Sequence, residues 1–138
     1  MKRKLLRRAF FLAVILLLYP IWVIGFTWSH VSKSDFEGGR HGQLDAYRHA
    51  LASATVSNTL GEWAVTLTTL IFESRGKESN DMDIHNNRLG AAIGSNTNSF
   101  RDIEPAVHRA VAEGRVFSKD PTTITWLPPA KWRHGKFW

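Results

Sequence analysis

Cysteine is absent from the 138 residues, which excludes a disulfide-stapled scaffold, a thiol nucleophile and cysteine-ligated zinc, and leaves the redox compartment open. Surplus positive charge is scarcer than its total suggests. The formal charge is +6, from 18 Lys and Arg against 12 Asp and Glu, yet Lys2, Arg3, Lys4, Arg7 and Arg8 all precede position 9. Residues 9–138 therefore hold 13 basic and 12 acidic side chains. So neutral a body lacks the electropositive face on which nucleic-acid binding depends, and nucleic acid is not an expected partner. Also missing are any internal repeat, any low-complexity tract and any run that alternates as a strand does.

One further absence is local. No Asp, Glu, Lys or Arg occurs over the 24 positions from Ala9 to Ser32. About 20 helical residues cross a hydrocarbon core about 30 Å thick, so this stretch can span a bilayer. Tyr19, Trp22 and Trp28 supply interfacial rings, and Pro20 would kink the helix without forbidding it. The basic cluster lies before the span, with only Lys33 and Asp35 soon after. The positive-inside rule then puts the N-terminus in the cytoplasm and the body in the periplasm or otherwise outside. A cleaved secretory signal shares the basic start. The apolar run here is longer than the roughly 7–15 residues of such a signal, and Phe26-Thr27-Trp28 stands where small residues would mark a cleavage site.

The expected organisation is a basic cytoplasmic start (1–8), a transmembrane signal anchor (9–30) of the cytoplasmic membrane, a linker (31–42), a helical domain (43–116) and an aromatic, basic arm (117–138). The fold class is all-α, with about four helices in the bundle. In 43–59, Leu44, Tyr47, Leu51 and Ala54 recur at spacings of three and four and draw one helical stripe. The second helix, about 61–73, is apolar nearly all round, which predicts the central and most buried position. A third helix is expected over about 81–93. The fourth, about 104–113, has Pro105 in its first turn, Ser99 or Asp102 as cap and Gly114 as its stop. Beyond it, Pro121, Pro128 and Pro129 forbid a long helix, which predicts an extended arm. Its Trp126, Trp132, Phe137 and Trp138 are interleaved with Lys131, Arg133, His134 and Lys136. Packing on its own domain is the first expectation for this arm, and contact with lipid headgroups the second.

Two segments concentrate chemistry: Asp45-Ala46-Tyr47-Arg48-His49-Ala50 and Asp83-Ile84-His85-Asn86-Asn87-Arg88-Leu89-Gly90. On a helix, Asp45, Arg48 and His49 share about 100° of arc, with Ala52 close by. Asp83, Asn86, Asn87, Gly90 and Gly94 make a second narrow stripe. Glycine inside a helix costs about 1 kcal/mol relative to alanine, so something must come close to these stripes. If that is the other helix, Asp45–Arg48 and His49–Asp83 are buried ion pairs, and Asn86 and Asn87 satisfy backbone groups at the crossing. If it is a ligand, His49 is a base, acid or metal ligand, Asp45 and Asp83 orient it or bind a divalent metal, Arg48 clamps an anion, and the Asn pair donates to developing negative charge. Glu73, at the end of the apolar helix, meets the unfavourable end of the helix dipole and adds a third carboxylate. His30, His41, His85 and His108 lie off these stripes.

At these residues the sequence resembles a family of small, mostly uncharacterised helical bacterial domains found in secreted, membrane-linked and toxin-like proteins. The resemblance rests on Asp45-Ala46-x-Arg48-His49-Ala50, Glu73 at the end of the next helix, Met82-Asp83-x-x-Asn86-Asn87-x-x-Gly90, and the helix before Gly114. It covers Gly39–Phe117 and implies the fold and the position of the site, not an activity. Members often carry His before the Glu, where this chain has Phe72.

Three functions follow as expectations. The first is a membrane-anchored hydrolase acting on a phosphate- or ester-bearing envelope substrate through Asp45, Arg48, His49, Glu73, Asp83, Asn86 and Asn87, with a divalent metal as a candidate cofactor and the lipid bilayer as partner. The second is a non-enzymatic module that binds a membrane-protein or envelope partner. The third is peptidoglycan cleavage by Glu73, because Glu73-Ser74 matches the catalytic pair of lytic transglycosylases.

Overall fold

The protein is described by a computed structural model over residues 2–72 and 76–133. Its elements are helices α1 (Lys2–Val31), α2 (Gln43–Leu60), α3 (Glu62–Phe72), α4 (Glu78–Asn96) and α5 (Phe100–Ala112), strands β1 (Arg115–Val116) and β2 (Thr125–Trp126), and a single turn of 3-10 helix at Pro129–Lys131. The helical class is as expected; the two short strands are an addition to it.

α1 is one continuous helix through Pro20, long and apolar enough to cross a membrane. Its two halves differ. Leu5–Leu18 carries exposed apolar side chains, whereas Val23, Thr27 and Val31, four residues apart, are buried against the bundle. Trp22 and Phe26 pack on Phe100, with ring centroids 5.6 and 5.1 Å away. The segment expected as a free anchor is thus partly core. The segment expected as a free linker, 31–42, is also packed: Phe36 lies on Tyr47, and the Leu44 N–H donates to the Glu37 carbonyl.

α2 holds the centre, which was expected of α3. The Leu44/Tyr47/Leu51/Ala54 stripe is buried, and so are Ala46, Ala50, Ser53, Thr55 and Ser57 on other faces. Small side chains all round let neighbours close in on every side. α3 lies at the periphery, with Trp63, Leu67, Leu70 and Ile71 between 50% and 66% exposed and, among its described side chains, only Ala64 and Val65 buried. An apolar surround marks the most buried helix of a soluble protein, but a helix beside an apolar span has a second apolar environment available.

α4 crosses α2 at backbone contact. A Cβ on Gly90 would lie 2.3 Å from the Ala50 carbonyl oxygen, and one on Gly94 2.1 Å from that of Ala54. The glycines therefore serve helix packing, not ligand approach. The paired positions advance together on both helices, so α2 and α4 run in the same direction, with α3 as the connection between them. Asn58 fastens the far end, its amide donating to the Gly94 and Thr97 carbonyls at 3.0 Å each. Gly94 is in the last turn of α4 and Thr97 is its C-cap, whose own N–H also donates to the Gly94 carbonyl; carbonyls at a helix end need such outside donors.

α5 begins earlier than expected, so Pro105 falls in its second turn instead of its first; Ser99 caps it, accepting from the Arg101 N–H. Ile103, Val107 and Val111 form its buried stripe. The described part of the arm folds back. β2 pairs in parallel with β1, Ile124, Trp126 and Leu127 enter the core, and Arg40 bridges Arg133. Three prolines exclude a long helix but leave a chain free to lay apolar side chains into a groove. His134, Lys136, Phe137 and Trp138 lie outside the described residues.

Candidate functional site

The parallel crossing sets two polar ladders against each other. On α2 the ladder is Asp45, His49 and Ser53; on α4 it is Asp83 and Asn87, each step one helical turn. His49 is the meeting point. Its Nε2 lies 3.5 Å from Asp45 Oδ1 and 3.6 Å from Asp83 Oδ1, and its Nδ1 lies 3.3 Å from Asn87 Oδ1. The amide of Asn87 sets the tautomer. Asn87 Nδ2 donates to Thr69 Oγ1 (3.3 Å), and Ser53 Oγ donates to Asn87 Oδ1 (3.0 Å), so the oxygen facing His49 is an acceptor. Nδ1 accordingly carries the hydrogen, and in the neutral ring the Nε2 lone pair points between two carboxylates.

Asp45 is 2% exposed and fully engaged: the His41 N–H donates to its Oδ2 at 2.6 Å and the Arg48 guanidinium to its Oδ1. His41 takes a positive φ of 71° to deliver that N–H, and its carbonyl accepts from Leu127, so the returning arm braces the site. Arg48 lies over the Trp28 ring of α1 at 5.6 Å and remains 24% exposed. The His49 side chain is 20% exposed. Burial lowers the His49 pKa; Asp45 opposes this and Arg48 reinforces it. His41 is lowered for the same leading reason.

Of the seven residues singled out from sequence, the structure joins Asp45, Arg48, His49, Asp83 and Asn87. Asn86 is not among them: its amide donates to the Thr125 carbonyl (2.7 Å) and accepts from the Thr125 N–H (3.1 Å), holding β2 against α4. Glu73 lies outside the described residues. Sequence reading missed Ser53 and Thr69. Ser53 was legible as the next step of the Asp45/His49 ladder; Thr69, on another helix, carried no signal. His85 holds the Thr123 carbonyl at 2.9 Å, and His108 sits against Phe36 near Asp35, both away from the site.

Asp45, His49 and Asp83 each offer one ligand atom, all within 4.8 Å of one another. The separations of 3.5 and 3.6 Å are long for hydrogen bonds. They are close to the roughly 3.4 Å edge of a tetrahedron whose centre lies about 2.1 Å from each ligand. A neutral imidazole with its other nitrogen tied to an amide oxygen and two carboxylates beside it is a donor set that suits a divalent cation. The Arg48 guanidinium on Asp45 places a fixed positive charge beside that position and lowers its affinity for one.

Residues 8–114 match a family model described as a domain of unknown function, DUF6973. The chain belongs to this family. The match takes in α1 from its first turns, as well as the α2–α4 crossing and α5. No curated protein and no solved structure matches the chain.

Proposed function

We propose that this DUF6973 member is a membrane-anchored hydrolase whose body faces outward from the cytoplasmic membrane and acts on a phosphate- or ester-bearing envelope substrate. The observation that carries the reading is the His49 imidazole, held by Asn87 as the Nδ1–H tautomer with Nε2 turned to two carboxylates, beside a partly exposed Arg48. In such a site a water lies against Nε2 and the Asp45 and Asp83 oxygens. His49 takes its proton as the oxygen attacks phosphorus or a carbonyl carbon, and the two carboxylates stabilise the imidazolium that forms. Arg48 clamps the substrate's negative charge, and the leaving oxygen departs with the proton returned from His49. A divalent cation held by Asp45, Asp83 and His49 Nε2 would occupy the lone pair that otherwise takes the proton; His49 would then be a ligand, and the cation would activate the water in its place by lowering the water's pKa. The apolar first half of α1 and the basic residues before it support the anchor and its orientation.

The test is turnover of lipid-linked phosphate esters and carboxylic esters by the purified full chain, with and without a chelator. His49→Gln and Asp83→Asn should each lower turnover about 100- to 10,000-fold while the melting temperature is largely retained. If both variants melt with the wild-type turnover per folded molecule, or simply fail to fold, the cluster is a buried structural network and the reading is wrong. A chelator that abolishes turnover, with recovery on metal addition, assigns the water to a bound cation.

A further inference from the structure

Between α1, α2 and α3 runs a groove of about 540 Å³, walled by Leu16, Tyr19 and Val23 on α1, Val56 on α2, and Val65 on α3. Its lining is almost wholly apolar. Two of its polar residues are engaged elsewhere, Thr68 with the Ala64 and Val65 carbonyls of its own helix and Tyr19 with Thr59; the other three, Ser53, Thr69 and Asn87, are bonded together behind His49. An apolar channel thus runs up to the hydrogen-bond network of the polar site, the shape expected for a ligand with a long apolar tail and a polar head.

The position of the groove specifies that ligand. Its α1 wall belongs to the uncharged stretch that begins at Ala9. From Ala9 to Tyr19 the helix rises about 15 Å, about half of a 30 Å hydrocarbon core. Tyr19 already touches the bundle, its hydroxyl 2.5 Å from Thr59 Oγ1. If α1 spans the bilayer, the near end of the bundle must enter the outer leaflet, even with the basic residues reaching back to the inner surface. The exposed Trp63, Leu67, Leu70 and Ile71 of α3 are the side chains such immersion requires. The groove then opens among acyl chains, while Arg48 and Trp28 lie toward the headgroups, where a cation and an indole are favoured.

We infer that the groove binds one acyl chain of a membrane lipid and presents that lipid's anionic head to Arg48 and His49. This rests on the anchored hydrolase reading and names its substrate class: the substrate is an acyl lipid drawn sideways from the outer leaflet, not a water-soluble ester.

The experiment uses the full chain in nanodiscs of phosphatidylcholine and phosphatidylglycerol, with a phosphatidylglycerol probe carrying a photoreactive diazirine near the end of one acyl chain. Peptides containing Val56 and Val65 should be labelled, and unlabelled phosphatidylglycerol should compete. Val56→Trp, which fills the groove from a half-buried position, should reduce that labelling at least tenfold while labelling of Leu18 and Ile21 on the open face of α1 persists. Labelling confined to the open face of α1, or unchanged in Val56→Trp, overturns the inference. Failure of the underlying reading gives a different result: an unanchored chain is released from membranes by alkaline carbonate, and a groove that binds lipid in a chain with no turnover shows the lipid site without the hydrolase.

Discussion

At the scale of single residues, two kinds of position were legible for different reasons. Gly90 and Gly94 were conspicuous because glycine is costly inside a helix, and the structure shows what offsets that cost: α2 backbone at contact distance. Gly94→Ala should therefore lose about 1–3 kcal/mol in denaturant unfolding, as overpacking does in a closed core. His49 and His41 make a pH prediction. Both have pKa values lowered from 6.5 by burial, so below about 6.5 the unfolded chain binds more protons than the folded one. Stability is then fully present above pH 6.5 and falls on acidification toward the folded-state values. Melting temperature recorded from pH 8 to 5 should decline at the acid end, less steeply in His49→Gln. Asn86 shows where residue-level reading fails. Its spacing matches that of Asn87, and only the approach of β2 takes its amide away from the site.

At the scale of elements, periodicity located four body helices but ranked them wrongly. The apolar surround of α3 was read as depth in the core, because pattern reports that a face is shielded from water and not what shields it. The structure puts small-residue α2 in the middle and leaves α3 outside beside α1. On the membrane reading, α3 rests in lipid. Leu67→Lys with Ile71→Lys should then weaken quenching of Trp fluorescence by brominated acyl chains severalfold, with helicity by circular dichroism retained. Equal quenching in the double variant would place α3 in water. The arm past Gly114 is a second case. The prolines were expected to forbid a long helix, and the described arm holds only the 3-10 turn Pro129–Lys131; the burial of Ile124, Trp126 and Leu127 depends on partners more than 70 residues away, such as Leu44 and Leu51.

At the scale of the whole molecule, α1 is both a membrane-length helix and a wall of the bundle. Removing residues 1–22 should leave a folded body, because Val23, Phe26, Thr27 and Val31 stay. Removing 1–33 should leave a chain that melts at markedly lower temperature or is degraded by limited proteolysis. A signal peptide cut near Trp28 would act like the longer deletion. Orientation has a direct test, since the chain has no cysteine to compete. Ser118→Cys in intact cells should react with a membrane-impermeant maleimide if the body faces outward, and stay unlabelled until lysis if it faces the cytoplasm.

What the sequence by itself determined is whatever depends on neighbours within a few turns. The absence of cysteine, the placement of charge ahead of an apolar span, the helical class and the polar ladders at i and i+4 are of this kind, because helical geometry converts spacing into position. Tertiary structure decided which ladders meet. Asp45 and Asp83 are 38 positions apart in the chain, and they face one His49 ring because two glycines allow α4 to lie on the backbone of α2. Tertiary structure also decided that the apolar helices enclose a groove reaching Ser53, Thr69 and Asn87, the residues bonded behind that ring. That follows from packing between helices, which no local spacing encodes.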